Sequence, residues 1–477
     1  MADLWTADAL IEATGGRLSG TVTRALDGVS IDTRTLQPGD VFVAITGATH
    51  DGHAFVARAF EAGAGLAIVR SGACDRTAGP LLEVDDPLAA LEEIGRAGRA
   101  RSNARIVAVT GSVGKTGTKE ALRQALAKDG PVHASAASYN NHWGVPLSLA
   151  RLPADARYGV FEVGMNHPGE IEPLARMIRP HVAVITTVAP VHLGNFASVD
   201  EIADAKAEVF AGLEPGGTAV LNRDNPYFDR LKQAALAAGA DRIVGFGEHA
   251  RAQARLEKVV LHATCSCVSA SICGHKVTYR LGAPGRHLVI NSLAVLAVVD
   301  AVGADLALAA LALGEMAAPK GRGARHRLAL GRGYFTLVDE SYNANPVSMR
   351  AAIATLGIAR PGPRGRRIAV LGDMLELGAE AANLHAGLAP ALDDAGIDLV
   401  YACGPNMARL WEALTPARRG ALADDAAGLA EAVAAAIEPG DVVMIKGSLG
   451  SRMGPLVEML LARHPALSDD PLEPAKG

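Results

Sequence analysis

The residues best suited to chemistry fall in one short run, Thr110-Gly111-Ser112-Val113-Gly114-Lys115-Thr116-Gly117. A β-branched apolar stretch, 105–110, leads into it, and a helical pattern beginning Glu120-Ala121-Leu122-Arg123 follows. Strand, tight loop and helix make a phosphate cradle: backbone N–H groups and the helix N-terminus face the anion, and glycines let the chain come close. Lys115 would bridge the β- and γ-phosphates of a nucleotide, and the Thr116 hydroxyl would reach Mg2+. The usual pattern G-x-x-x-x-G-K-[ST] is broken once, where Val109 stands in place of the first glycine. An ATP-phosphate site over 111–117 is expected.

Three further groups share that neighbourhood in the sequence. Glu162 lies inside an apolar strand pattern, Phe161-Glu162-Val163-Gly164. An unpaired buried carboxylate costs several kcal/mol, so it needs a cation, and Mg2+ suits an oxygen ligand beside a phosphate loop. A salt bridge to Arg or Lys is the alternative. His192, in Val188-Ala-Pro-Val-His192-Leu-Gly, and Lys206, in Ala205-Lys206-Ala-Glu208, would each alone read as an ordinary loop histidine and a solvated helix lysine. Their joint occurrence behind the phosphate loop and Glu162 gives them weight. Tyr139-Asn140-Asn141-His142-Trp143-Gly144-Val145-Pro146 leads into an apolar helix and adds two amides to the same region.

The elements that must position these groups are those of an α/β protein. At 477 residues the chain is long enough for about three domains. In the first unit, 1–100, strands are expected at 29–32, 41–45, 66–69 and 81–84, with helices at 54–63 and 88–100. Its polar loop, Gly47-Ala48-Thr49-His50-Asp51-Gly52-His53, follows a strand, where α/β sheets bind ligands. The second unit, 101–318, carries near-continuous apolar strands at 105–110, 158–163, 181–188, 218–222 and 242–247 with helices between most of them. That pattern predicts a mostly parallel sheet covered on both faces. The alternating stretch 254–281 predicts an antiparallel hairpin on one edge, and helices at 287–302 and 304–314 close the unit. The third unit, 319–477, opens on the glycine-rich hinge Lys320–Arg325. It repeats the theme with strands at 334–339, 367–372, 398–403 and 441–446, and ends in a disordered tail from Asp469.

Composition narrows the class. The net charge of −5 implies no attraction to nucleic acid or membrane surfaces. No apolar run reaches the ~20 residues of a membrane span, and the N-terminus lacks a secretory pattern. Cys265, Cys267, Cys273 and His275 are spaced C-x-C-x5-C-x-H without paired C-x2-C knuckles, so reduced structural thiols are expected there instead of zinc. A cytoplasmic monomer is the expectation.

Over nearly its whole length the chain resembles the Mur ligases of bacterial cell-wall synthesis. The resemblance rests on Thr110–Thr116, on Glu162-Val-Gly-Met-Asn-His167 and on Ala205-Lys206-Ala-Glu208. It implies an N-terminal UDP-binding domain, a central P-loop ATPase and a C-terminal Rossmann-like domain. Within the family, Asp339-Glu340-Ser341-Tyr342-Asn343-Ala344-Asn345-Pro346 and Leu371-Gly-Asp-Met-Leu-Glu376-Leu-Gly378 resemble the member that adds D-alanyl-D-alanine to a UDP-N-acetylmuramoyl-tripeptide. The sister enzyme that adds the third amino acid carries D-N-P-R in its last domain. Here Asp224-Asn225-Pro226 lies in the central unit, is followed by Tyr227, and is set aside.

The resemblance also implies roles. ATP would phosphorylate the tripeptide's carboxylate, and the dipeptide amine would capture the acyl phosphate. One Mg2+ would be held by Thr116 and Glu162, and a second would lie near His192 and Lys206, with Lys206 carbamylated. Asn291 resembles an adenine-contacting asparagine and Asp339 a residue near the ATP ribose. Arg322 resembles an arginine that reaches the γ-phosphate, although irregular spacing leaves Arg325 as a substitute. Thr33, Arg34, Asp51 and His53 resemble UDP-binding loops. Asn140 and Asn141 fall among the substrate-binding residues, and Tyr342, Asn343 and Asn345 are expected around the dipeptide. Two other readings stand beside this one: the sister ligase, and a nucleotide-dependent switch whose phosphate loop regulates instead of driving chemistry.

Overall fold

The computed structural model describes residues 3–47, 49–75, 79–136, 138–191 and 193–467. His192 and the tail expected from Asp469 lie outside them. Among the described residues twenty strands form three sheets, each built around parallel pairing.

The first sheet contains β1 (Arg17–Ser19), β2 (Gly28–Ser30), β3 (Asp40–Val43), β4 (Leu66–Arg70) and β5 (Leu81–Val84) in the order β1-β5-β4-β3-β2. Only β1 runs antiparallel. Its core, Val29, Val41, Val43, Leu66, Ile68 and Leu82, continues into Leu147 and Ala150 of the next unit.

The second sheet has nine strands: β6 (Arg105–Thr110), β7 (Val132–Ala134), β8 (Tyr158–Glu162), β9 (Val182–Ile185), β10 (Thr218–Asn222), β11 (Arg242–Gly247), β12 (Ala254–Leu261), β13 (Ser266–Ile272) and β14 (His275–Leu281). Their order is β14-β13-β12-β11-β10-β9-β6-β8-β7. From β7 to β12 every pairing is parallel, and apolar clusters cover both faces. That double burial explains why β6, β8, β9 and β10 read as apolar runs without alternation. The stretch expected to be a hairpin is instead a three-stranded antiparallel ribbon, β12-β13-β14, continuing the sheet beyond β11. Its second turn is the two-residue Cys273-Gly274, both with positive φ (49° and 98°), the backbone a tight hairpin requires.

The third sheet contains β15 (Ala324–Leu330), β16 (Gly333–Glu340), β17 (Arg367–Gly372), β18 (Leu399–Cys403), β19 (Arg419–Ala423) and β20 (Val442–Lys446), ordered β15-β16-β20-β17-β18-β19. The expected hinge therefore ends early: the glycine-rich segment gives way at Ala324 to β15, an antiparallel edge strand beside β16. β20 inserts between β16 and β17, so the strand order reverses there and opens a crevice at their carboxyl ends. Among the described residues no helix is long and apolar enough to cross a membrane, and all five cysteines are free thiols.

Candidate active site

β6, third from the β7 edge of the nine-stranded sheet, delivers the phosphate loop between β8 and β9. Gly111 has φ 141°, and a Cβ there would stand 2.0 Å from Thr186 Oγ1; Gly114 has φ 89° and would meet Asn291 Nδ2 at 2.6 Å. Both positions exclude a side chain on grounds of backbone and space. Gly114 precedes the helix Lys115–Leu126, whose first N–H groups have no side-chain cap and are free for an anion. The segment after β9 braces the loop: Thr186 Oγ1 donates to Val113 O (2.6 Å), and Ser112 Oγ donates to Ala189 O (3.0 Å).

Glu162 closes β8 next to Val109 of β6. It is 1% exposed, and its carboxylate accepts from Thr116 Oγ1 (2.8 Å) and Asn140 Nδ2 (2.7 Å). Both donors are neutral. Among the described residues Glu162 forms no ion pair, so the salt bridge to Arg or Lys weighed from the sequence is not what compensates it. A buried carboxylate and a hydroxyl 2.8 Å apart form a hard-oxygen set that fits Mg2+.

Lys115 is half-buried and donates to Gly111 O (2.8 Å). Burial lowers its pKa, the Glu162 charge opposes that shift, and Arg322 adds to it, so the three charges act on one another. Lys206, on the helix Val199–Ala207, is 2% exposed. Burial and then the charge of Lys115 hold its pKa well below the ordinary lysine range, and among the described residues its Nζ has no hydrogen-bond or ion-pair partner. It is not the solvated lysine that an isolated helix position would suggest.

Arg322 arrives from the segment before β15. Its Nη2 donates to Ser138 Oγ (3.1 Å) and its guanidinium lies 4.1 Å from the Tyr342 ring centroid. Arg325 points elsewhere, donating to Ala263 O at the ribbon (3.0 Å). Of the two arginines, Arg322 is the one beside Thr116.

Several expected ligand contacts have structural duties. Asn291 packs against Gly114. Asp339 is 1% exposed and accepts from Gly321 N (2.9 Å) and Ser341 Oγ (2.6 Å), holding the segment that carries Arg322. Asn141 Oδ1 accepts from Gly144 N (2.9 Å) in the turn leading into the helix Gly144–Ala150, and Asn345 forms a reciprocal capping box with Ser348 on the helix Pro346–Ile358. Asn343 Oδ1 accepts from Ala344 N (2.9 Å), while Tyr342 remains exposed beneath Arg322.

In the first sheet's loops, Asp32 binds Arg34 through Nε (2.9 Å) and Nη2 (2.6 Å), with Thr33 between them half-buried. His53 Nδ1 lies 2.6 Å from Asp51 Oδ1, and its Nε2 accepts from Arg70 N (2.9 Å), which fixes the proton on Nδ1. That bond holds Asp51 down at about 2. Trp143 lies against the loop after β3, 3.0 Å from where a Gly47 Cβ would sit.

The sequence reading missed Ser138, which no motif marks. It also set aside Asp224-Asn225, which holds the site's rear wall: Asn225 Nδ2 donates to Thr187 Oγ1 (3.0 Å) and Val188 O (2.8 Å), and Asp224 accepts from Glu248 N and His249 N.

Three family models match this chain in order: the Mur ligase family catalytic domain over residues 25–99, the Mur ligase middle domain over 109–299, and the Mur ligase glutamate ligase domain over 325–449. A relative from Escherichia coli, named UDP-N-acetylmuramoyl-tripeptide--D-alanyl-D-alanine ligase, is 37% identical over 84% of this chain and 86% of its own. The chain belongs to the Mur ligase family. Among solved structures, MurF from Acinetobacter baumannii is 29% identical with a TM-score of 0.82, covering 96% of this chain and 99% of that one. MurF from Thermotoga maritima, solved in complex with ADP, is 26% identical with a TM-score of 0.74, covering 91% and 96%.

Proposed function

We propose that this Mur ligase joins D-alanyl-D-alanine to UDP-N-acetylmuramoyl-tripeptide at the expense of ATP, giving the UDP-pentapeptide precursor of peptidoglycan. The observation that carries the reading is the convergence of Lys115, Thr116, Glu162 and Arg322, brought from separate segments, on the mouth of the phosphate loop. A switch needs the loop, but not an arginine from a distant segment and a buried, uncompensated lysine beside it.

Phosphoryl transfer to a carboxylate brings two anions together, so positioning and charge neutralisation dominate. The free N–H groups at the start of the helix Lys115–Leu126 bind the phosphates, and Lys115 neutralises the terminal one. Thr116 and Glu162 would hold a Mg2+, which when bound lowers the charge the attacking carboxylate meets. Arg322 adds positive charge close enough to act on Lys115 and, arriving from the segment before β15, helps exclude water from the acyl phosphate. The dipeptide amine must then arrive neutral: its nitrogen bonds the acyl carbon, the C–O bond to phosphate breaks, and the ammonium proton leaves to solvent.

Lys206 as an ammonium would repel a metal near the same carboxylate. Its lowered pKa supports a different state, because the neutral amine adds to CO2, forming N–C, releasing one proton and leaving an anionic carbamate. His192 is retained as a candidate ligand on the resemblance alone. On the resemblance, Thr33, Arg34, Asp51 and His53 are assigned to the UDP end, and Tyr342 with Asn343 to the dipeptide.

The test is purified protein with ATP, Mg2+, the UDP-tripeptide and a panel of amines, scored by product mass. Phosphate release that requires both tripeptide and D-alanyl-D-alanine is expected. Turnover without substrates, or product formed only with a diamino acid, overturns the reading.

A further inference from the structure

Ser138 has no role in the chemistry described so far, yet it stands between two parts of the site. Its Oγ is 3.1 Å from Arg322 Nη2 and 3.3 Å from Thr116 Oγ1, and Thr116 Oγ1 is 2.8 Å from Glu162 Oε2. The proton order follows from what each group can do: a guanidinium only donates and a carboxylate only accepts. Arg322 therefore donates to Ser138, the Ser138 hydrogen is free for Thr116, and Thr116 donates to Glu162.

The arginine is held at its base by its own side of the fold. Gly321 N donates to Asp339 (2.9 Å), Tyr342 N to Gly321 O (3.0 Å), and the Tyr342 ring lies against the guanidinium. Across the boundary, Ser138 is the only hydrogen-bond partner of that guanidinium among the described residues. One of its five N–H groups is used there, and the others stay available for a phosphate.

We propose that Ser138 is a positioning residue of the ligase reaction: it docks Arg322 onto the Thr116 side of the phosphate loop and fixes the direction in which the remaining guanidinium donors point. The inference rests on the ligase reading above. Without the hydroxyl, Arg322 keeps its charge and its stacking on Tyr342 but loses its orientation. An effect on the transition state is then expected, with substrate binding left alone.

The experiment compares wild type, Ser138→Ala, Ser138→Thr, Arg322→Ala and the Ser138→Ala/Arg322→Ala double variant for kcat, KM of each substrate, affinity for a non-hydrolysable ATP analogue, and Tm. The hydrogen bond is to a charged donor, so Ser138→Ala should lower kcat roughly 10-fold or more. Analogue affinity and Tm should stay at the wild-type values. Ser138→Thr should recover most of the rate, and Ser138→Ala should add nothing to the loss in Arg322→Ala. A Ser138→Ala rate within about twofold of wild type, a threonine variant as poor as the alanine one, or additive losses in the double variant each overturn the proposal. If Ser138→Ala does not fold, Ser138→Gly enters the same cycle. Failure of the wild type to ligate at all sinks the ligase reading instead and is seen in the same assay.

Discussion

Replacing Glu162 by Gln should stabilise the protein while disabling it. In the metal-free enzyme the Glu162 carboxylate is 1% exposed and has two neutral donors at 2.8 and 2.7 Å. Hydrogen bonds to a charged acceptor contribute about 1.5–3 kcal/mol each. Removing a carboxylate from water costs several kcal/mol after relaxation, so the two contributions nearly cancel. A glutamine keeps both contacts: its oxygen accepts from Asn140, its nitrogen donates to Thr116, and the Thr116 hydrogen turns to Ser138, 3.3 Å away. It carries a far smaller desolvation penalty but forfeits the attraction to Lys115. The net gain should be about 1 kcal/mol, or roughly 2–4 °C for a domain of this size. The assay is thermal unfolding with and without Mg2+ and ATP, alongside product formation. Wild type should gain stability from Mg2+ and ATP together; Glu162→Gln should start higher, gain less, and form no product. A Tm below wild type without ligand, or a full response to Mg2+-ATP with normal turnover, refutes the view of Glu162 as a carboxylate waiting for a cation.

Lys206→Ala should abolish ligation, and a small carboxylic acid should restore part of it by supplying the missing carboxylate; full activity without rescue refutes the role. Gly98→Ala should weaken the docking of the first sheet on the second, because its Cβ would stand 2.4 Å from Leu149 O. Overpacking of that kind costs about 1–3 kcal/mol, more than alanine's helix propensity returns, and a denaturant titration should show the loss. His133 donates from Nε2 to Ser148 O, and burial pushes its pKa down to about 4. The unfolded chain therefore binds more protons below about 6.5, and stability is full above that pH and falls as it drops toward about 4. His133→Gln should flatten stability against pH across that window, and an unchanged slope would remove His133 as its source.

What the sequence revealed was local. The phosphate loop, Glu162 and Lys206 each sit in a short segment whose type pattern implies its own backbone, and β6, β8, β9 and β10 carry the apolar runs of doubly covered strands. Convergence across the chain was not legible. Ser138 matters because residues 116, 138, 162 and 322 meet in space, and nothing in Ala136-Ala137-Ser138-Tyr139 announces that. Local duties of polar residues were equally hidden. The oxygens of Asn141 and Asn345, expected from the resemblance near substrate, accept from backbone N–H groups at the starts of helices. The segment 320–325 read as a hinge because glycine and arginine carry no strand pattern, yet Ala324 already pairs with Asp339.

The boundaries between the three sheets differ in kind, and the chemistry follows that difference. Helix Pro87–Ala100 lies on helix Gly144–Ala150, Leu147 and Ala150 are part of the first sheet's core, and buried Arg99 donates to Ile178 O (2.8 Å) and Arg179 O (3.0 Å). Close-packed surfaces of this sort do not slide. The helix Gly144–Ala150 starts just after Asn140, which holds Glu162, so the first sheet's core and the Glu162 carboxylate belong to one rigid body. Among the described residues the third sheet's polar contacts with that body are single ones: Arg322 on Ser138, Arg325 on Ala263 O (3.0 Å), and Gly194 N on Glu376 O (3.3 Å). Its own apolar clusters begin at Leu328. Small polar interfaces are the kind that domain motion makes and breaks. An acyl phosphate must be shielded from water while it exists, and its product must later be released. For the proposed reaction, a fixed body carrying the phosphate loop and a loosely attached one carrying Arg322 would meet both demands.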